Sequence, residues 1–197
     1  MSPEEVRALY PNVQLTRHGT FFISNQVADR DAVVEFHFVH NKLAAATVFF
    51  LPTRPVREGF ESLAELLKMK YGPPRFSEDS AASAGDAAAF VDLIELLVVS
   101  IDALSGKGGS HRDSPLDDAE SRARRERAHL ERLEAQHTFR LFHSWSNPET
   151  EVVLLGQSQH NSSLLVLRYE SLVFKPQLIE VQQRKAAELK QSQAKDL

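Results

Sequence analysis

The stretch TFFISNQVADRDAVVEFHFVHNKLAAATVFFL, Thr20 to Leu51, is rich in Val, Phe and Thr and is broken twice by polar residues, at Asp29-Arg30-Asp31 and His40-Asn41-Lys42. β-Branched and aromatic residues suit a pleated, half-buried backbone. Three strands are therefore predicted, over Thr20 to Gln26, Ala32 to His40 and Leu43 to Leu51, with the second and third paired as a hairpin. In the second strand Val34, Phe36 and Phe38 share one face and Glu35 and His37 the other, which predicts a core on one face only.

Upstream, Ser2-Pro3-Glu4-Glu5 supplies an N-cap, a first-turn proline and two acids ahead of Val6, Leu9 and Tyr10, so a short helix is expected to end by Pro11. Downstream, Phe60, Leu63, Leu66 and Leu67 recur at helical spacing within Arg57 to Lys70, and Tyr71-Gly72-Pro73-Pro74 ends that helix. Ser77 to Asp86 reads as a small polar loop. Ala87 to Leu104 reads as a helix whose polar stripe of Asp92, Glu95 and Asp102 is narrow beside a wide apolar surface. Ser105 to Ser114 has the glycines of a flexible linker, and a charged helix follows through Gln136. Thr138 to Ser146, Glu151 to Gln159 and Ser163 to Val173 read as an antiparallel meander, and Pro176 to about Lys195 as a last helix.

Displacing the chain by 120 residues superposes Phe22 and Ser24 on Phe142 and Ser144, Val33 on Val153, and His40-Asn41 on His160-Asn161. It also preserves the order of helix, three strands, helix. The expected fold is α+β: two helix-flanked three-stranded antiparallel meanders, related as a tandem repeat and forming one or two sheets, with a helical insertion between them. The units are residues 1–76, an insertion over 77–136 with its linker near 105–114, and residues 137–197.

Composition narrows the chemistry. With no cysteine there is no disulfide, thiolate nucleophile or Cys-ligated metal, so a hydrophobic core must carry stability. A net charge of −4 supplies no global field for nucleic acid or an anionic bilayer. The longest apolar run, Ala87 to Leu104, is interrupted by acids, so no membrane insertion is expected. The N-terminus does not read as a basic, apolar secretory leader, so the compartment is left unassigned, with the expectation of a cytoplasmic chain as given or a periplasmic or envelope one if it is a trimmed precursor.

His37 and His40 are three apart in a predicted strand and face opposite sides, so they make no joint metal site. No metal, catalytic residue or cofactor is assigned. Ser24, Ser144 and Ser158 lack a nucleophile-elbow context, and Gly106-Lys107-Gly108-Gly109 fits no phosphate-binding loop. Arg122, Arg124, Arg125 and Arg127 are interleaved with glutamates and have no aromatic stacking partners, which argues against nucleic acid. The strongest functional feature is the surface of Phe90, Leu93, Ile94, Leu97, Val98 and Ile101, which suits a protein partner or a homo-oligomer. The leading expectation is a non-enzymatic protein-protein interaction module. The competing one is a small-ligand or enzymatic pocket between sheet and helices, around Phe36, Phe38, His143 and Trp145.

Met1-Ser2-Pro3-Glu4-Glu5-Val6-Arg7-Ala8-Leu9 resembles the short GMSxEEVxxL helix that opens small bacterial envelope modules of the SmpA/OmlA and beta-lactamase-inhibitor-protein-like group. Tyr71-Gly72-Pro73-Pro74 after a helix is also similar, so the resemblance lies in the N-terminal third. It implies helices packed on an antiparallel sheet, often in lipoproteins that bind other proteins, and brings no catalytic residues.

Overall fold

In the computed structural model, residues 1–15, 20–51, 55–80, 125–126, 128–132, 134, 138–159 and 162–195 are described. Ser2 caps α1 (Pro3–Leu9) in a full capping box, accepting from the Glu5 amide while the Glu5 carboxylate accepts from the Ser2 amide. The strands β1 (Gln14–Leu15), β2 (Phe21–Val27), β3 (Arg30–Val39) and β4 (Lys42–Leu51) follow, and then α2 (Val56–Tyr71). The second half holds β5 (Phe76–Ser80), β6 (Phe139–Ser146), β7 (Thr150–Gln159), β8 (Ser162–Ser171) and α3 (Lys175–Lys195).

All eight strands form one antiparallel sheet in the order β1-β2-β3-β4-β8-β7-β6-β5. The last strand of each half pairs with that of the other, so separate three-stranded units give way to a single sheet to which each half contributes four strands. The fourth strand of the second half is β5, which occupies part of the stretch expected as a loop from Ser77 to Asp86. Its sequence, Phe-Ser-Glu-Asp-Ser, has little strand propensity, and pairing with β6 overrides that preference. The boundary expected at residue 76 therefore falls inside a strand.

Tight hairpins set the registers. Ala28-Asp29 and His40-Asn41 both have positive φ, the backbone of a two-residue turn matched to strand twist, and they close the pairs Val27 with Arg30 and Val39 with Lys42. Ser24 faces Val33 and Ser144 faces Val153; Phe22 faces Glu35 and Phe142 faces Leu155, each position displaced by 120.

The main core lies between the sheet and the helices α1 and α2, where Phe21, Val34, Phe36, Val48, Phe50, Leu154 and Leu167 meet Val6, Phe60, Leu63 and Leu67. The opposite face is buried as well: Phe22, Val33, Phe49 and Val166 form a second cluster, and Leu178 of α3 packs on Val39, Ala44 and Ala45. Alternation within β3 separates these two faces correctly, but both are interior, contrary to the one-sided core expected from Glu35 and His37. Gly156 of β7 lets α2 come down on the sheet, since a Cβ there would stand 3.1 Å from both Phe60 and Val56.

The N-terminus of α2 begins at Pro55, which provides no side-chain cap. Glu134 supplies one from far along the chain: its carboxylate accepts from the Val56 amide at 2.7 Å and the Arg57 amide at 2.9 Å, while its carbonyl accepts from the Ser158 hydroxyl at 3.1 Å. A carboxylate on these amides satisfies orphan donors and the positive end of the helix dipole. Glu134→Ala is expected to lower stability by about 1 kcal/mol, the usual loss of an N-terminal cap, as measured by urea denaturation.

Candidate functional site

Three arrangements concentrate polar or aromatic chemistry. The first lies where β4 meets β8 on the face opposite α1 and α2. Thr47 pairs with Arg168, and Ala45 with Glu170. Thr47, Arg168 and Glu35 are buried, the last only 2% exposed. Arg168 donates from Nε to Glu170 at 2.8 Å and from Nη1 to the Thr47 hydroxyl at 3.3 Å. His37 Nε2 stands 3.5 Å from that hydroxyl and 3.7 Å from the Glu35 carboxylate. At the edge of the cluster Lys175, at the start of α3, donates to Glu151 at 2.6 Å, and this bond raises its pKa above the ordinary lysine value.

These charges are compensated inside the protein, so their chemistry is structural: they hold β4 against β8 and α3 against the sheet. Burial makes such a pair costly to break one-sidedly but nearly neutral to replace as a unit. Arg168→Ala is expected to destabilise by about 3–5 kcal/mol, whereas Arg168→Met combined with Glu170→Gln costs much less, a difference read from paired denaturation curves.

The second arrangement lies under α2. His143 makes edge contacts with Phe60 at 4.9 Å and Trp145 at 5.7 Å between ring centroids, while the Trp145 Nε1 donates to the Gly72 carbonyl at 2.9 Å. The His143 Nδ1 is buried without a hydrogen-bond partner. Burial holds the His143 pKa below the ordinary histidine value. The unfolded chain then binds a proton that the folded chain resists, so stability is full above the ordinary histidine range and falls as acidification passes through it towards the depressed value. In thermal melts between pH 7.5 and pH 5.5 at ~0.15 M salt, His143→Phe is expected to lose less Tm than the parent chain.

The third arrangement lies on the sheet face that packs against α1 and α2. Phe36, Ala46 and Tyr169 are successive cross-strand neighbours on β3, β4 and β8, and the two aromatic positions lie roughly 10 Å apart with the small Ala46 between them. Tyr10 lies tilted on Phe36, with 5.7 Å between ring centroids. Burial, aided by Tyr71, pushes the Tyr169 pKa up to about 12, so its phenol keeps its proton. Val48 and Phe50 lower on β4 are fully covered, but Ala46 is only half-buried, as are Phe38, Leu43 and Tyr169 around it.

The pocket expected around Phe36, Phe38, His143 and Trp145 is thus divided. Phe36 and Phe38 belong to the α1 side, whereas His143 and Trp145 lie under α2 on β6, four strand positions and roughly 19 Å away. Phe90, Leu93, Ile94, Leu97, Val98 and Ile101 lie outside the described residues, as do the linker over 105–114 and His160-Asn161. His40 and Asn41 are turn residues. Sequence reading missed Thr47, Arg168 and Glu170. The available signal was a charged pair, Arg168 and Glu170, on the same face of an otherwise apolar strand.

Among the described residues no group of three or more His, Asp or Glu is placed to hold a metal ion, and no helix is long and apolar enough to cross a membrane. No protein-family model matches the chain, and neither a curated protein nor a solved structure matches it.

Proposed function

We propose that this protein is a non-enzymatic interaction module that holds another polypeptide, either a protein partner or a second copy of itself. The observation that carries this reading is β5, the last strand of the sheet, which has no described strand beyond it. An edge strand offers main-chain donors and acceptors to a strand from another chain. Phe76 at its start is 54% exposed and makes an edge contact with Phe142 at 5.8 Å, adding apolar surface at the same edge. The Phe90 to Ile101 surface, which follows β5 in the chain, is assigned to the same partner on its apolar pattern.

The module is read as a tandem repeat of a helix and a three-stranded meander, each copy extended by a further strand. Support comes from the common displacement of 120 in the residue matches, in the register of β2 with β3 against β6 with β7, and in the two pairs next to the β3–β4 and β7–β8 turns. A place in the bacterial envelope accords with the N-terminal resemblance to the SmpA/OmlA group. A second reading, binding of a small ligand, is favoured by the half-buried Phe38, Leu43, Ala46 and Tyr169 on the helix-covered face of the sheet.

Sedimentation velocity and hydrogen exchange test the interaction. Association is expected to slow exchange at the β5 amides. Phe76→Asp, and separately Leu93→Asp with Leu97→Asp, are expected to abolish it while the far-ultraviolet dichroism of the sheet persists. A chain that stays monomeric at high concentration, and whose cross-linked partners are the same in these variants, contradicts the reading.

A further inference from the structure

His143 lies one strand in from the edge of the sheet, with Ser77 of β5 opposite it on one side and Leu154 of β7 on the other. Phe60 of α2 contacts its ring, as does Trp145, two residues on along the same face of β6. Trp145 is tied in turn to residues 72–75, the strap that joins α2 to β5, because its Nε1 donates to the Gly72 carbonyl. The strap is also bound to β6, the Arg75 amide donating to the Ser144 carbonyl and its Nη1 to the Ser146 hydroxyl. The imidazole therefore stands where α2, the strap and β5 converge.

A neutral imidazole fits this setting with its N–H on Nε2 and Nδ1 left as a lone pair. A second proton makes Nδ1 a donor, buried and without an acceptor, on a ring that now carries charge among aromatic neighbours. The charged groups on the elements around it are Arg57 and Glu61 of α2, Glu134 at the start of that helix, and Asp79 of β5. They are engaged with one another: Arg57 donates to both oxygens of Asp79, Glu134 accepts from the Val56 and Arg57 amides, and Glu61 acts on the Arg57 guanidinium. Val152, Leu154 and Gly156, the β7 residues on this face, bring no charge, and Glu78 and Arg140 alternate to the other face with Phe142.

Of the walls around His143, β5 is the one that can yield. Phe60 and Leu154 belong to the main core. No residue of β5 is buried, and its side chains are anchored by the Phe76–Phe142 contact and by the Arg57–Asp79 pair, whose members are 42% and 60% exposed. An exposed edge strand of low propensity opens at a small fraction of the global unfolding free energy. Lifting it removes Ser77 from beside the imidazole and admits water to the ring.

We propose that His143 is a proton-operated release for β5: a proton taken up by this imidazole opens residues 72–80 from β6 while the rest of the sheet stays folded. The lowered pKa of His143 agrees in sign, since the closed form binds the proton less readily than the open one and acid therefore populates the open form. The release belongs to the chain by itself and does not depend on the polypeptide partner proposed above.

Hydrogen exchange of the full chain at pH 7.5 and pH 5.5 in ~0.15 M salt tests it, read as protection factors so that the intrinsic pH dependence of exchange is removed. Protection of the β5 amides is expected to fall severalfold on acidification. The ceiling is about tenfold, set by one group with an ordinary pKa of about 6.5. The β3 and β4 amides are expected to keep their protection. His143→Phe, which keeps an aromatic ring without a titrating nitrogen, and His143→Gln are each expected to abolish the response, so one decides if the other fails to fold. If β5 exchanges too fast to follow at pH 7.5, the emission of Trp145, the single tryptophan, takes its place; it is expected to move to longer wavelength with acid in the parent chain and to stay fixed in the variants. An unchanged β5 signal in the parent chain, the same fall in a folded His143 variant, or an equal loss of protection in β3 and β4 would overturn the inference.

Discussion

The antiparallel pairing of β4 with β8 is the contact on which the rest of the architecture depends. Without it each half would expose an apolar strand edge, Ala44 to Phe50 in one and Leu164 to Leu167 in the other, and such edges invite indiscriminate pairing. Joined, they bring Phe49 beside Val166 and Val48 beside Leu167, so each face of the sheet has a continuous core across the junction. Thr47 and Arg168 lie in the middle of this ladder. A slip of one residue would turn Arg168 into the hydrophobic face beneath the helices, where its charge would have no partner, so the polar cluster opposes misregistry. Because the paired residues are more than a hundred positions apart, closing this seam carries the entropy of a long loop.

The two faces divide the work. On one, α2 packs on β6, β7 and β8 while the α1 segment lies over Phe21 and Phe36, and Ala46 on β4 is only half-buried. On the other, compensated charges replace part of the apolar packing and fasten α3 near its start. The ionisable groups nearest the centre of the sheet are committed to holding the halves together.

Much of this was legible locally. Periodicity located six strands and the α1, α2 and α3 helices to within a few residues of their observed limits. The alternation of Val34 and Phe36 with Glu35 and His37 divides β3 into its true faces, although Glu35 is as buried as its apolar neighbours because both faces of the sheet are covered. β5 was not legible, since Ser-Glu-Asp-Ser carries the composition of a loop. Its strand conformation comes from the ladder with β6 and from the Arg57–Asp79 pair to α2, where the guanidinium holds the Asp79 carboxyl below its usual range. Grouping Phe36 with Trp145 failed for a related reason: both occupy the same face and the same transverse row, but strand order separates them.

The amino-acid order by itself determined what depends on neighbours along the chain: the helix starts, the inward and outward alternation of the strands, and the two-residue turns that set hairpin registers. Backbone geometry and short loops suffice for those. Only the tertiary structure decided that the halves share one sheet, that Arg168 finds Thr47 and Glu170, that Glu134 caps α2, and that Phe36, Ala46 and Tyr169 fall in one transverse row. Each of those facts depends on which distant segments meet when the chain closes, and local pattern places no constraint on that choice.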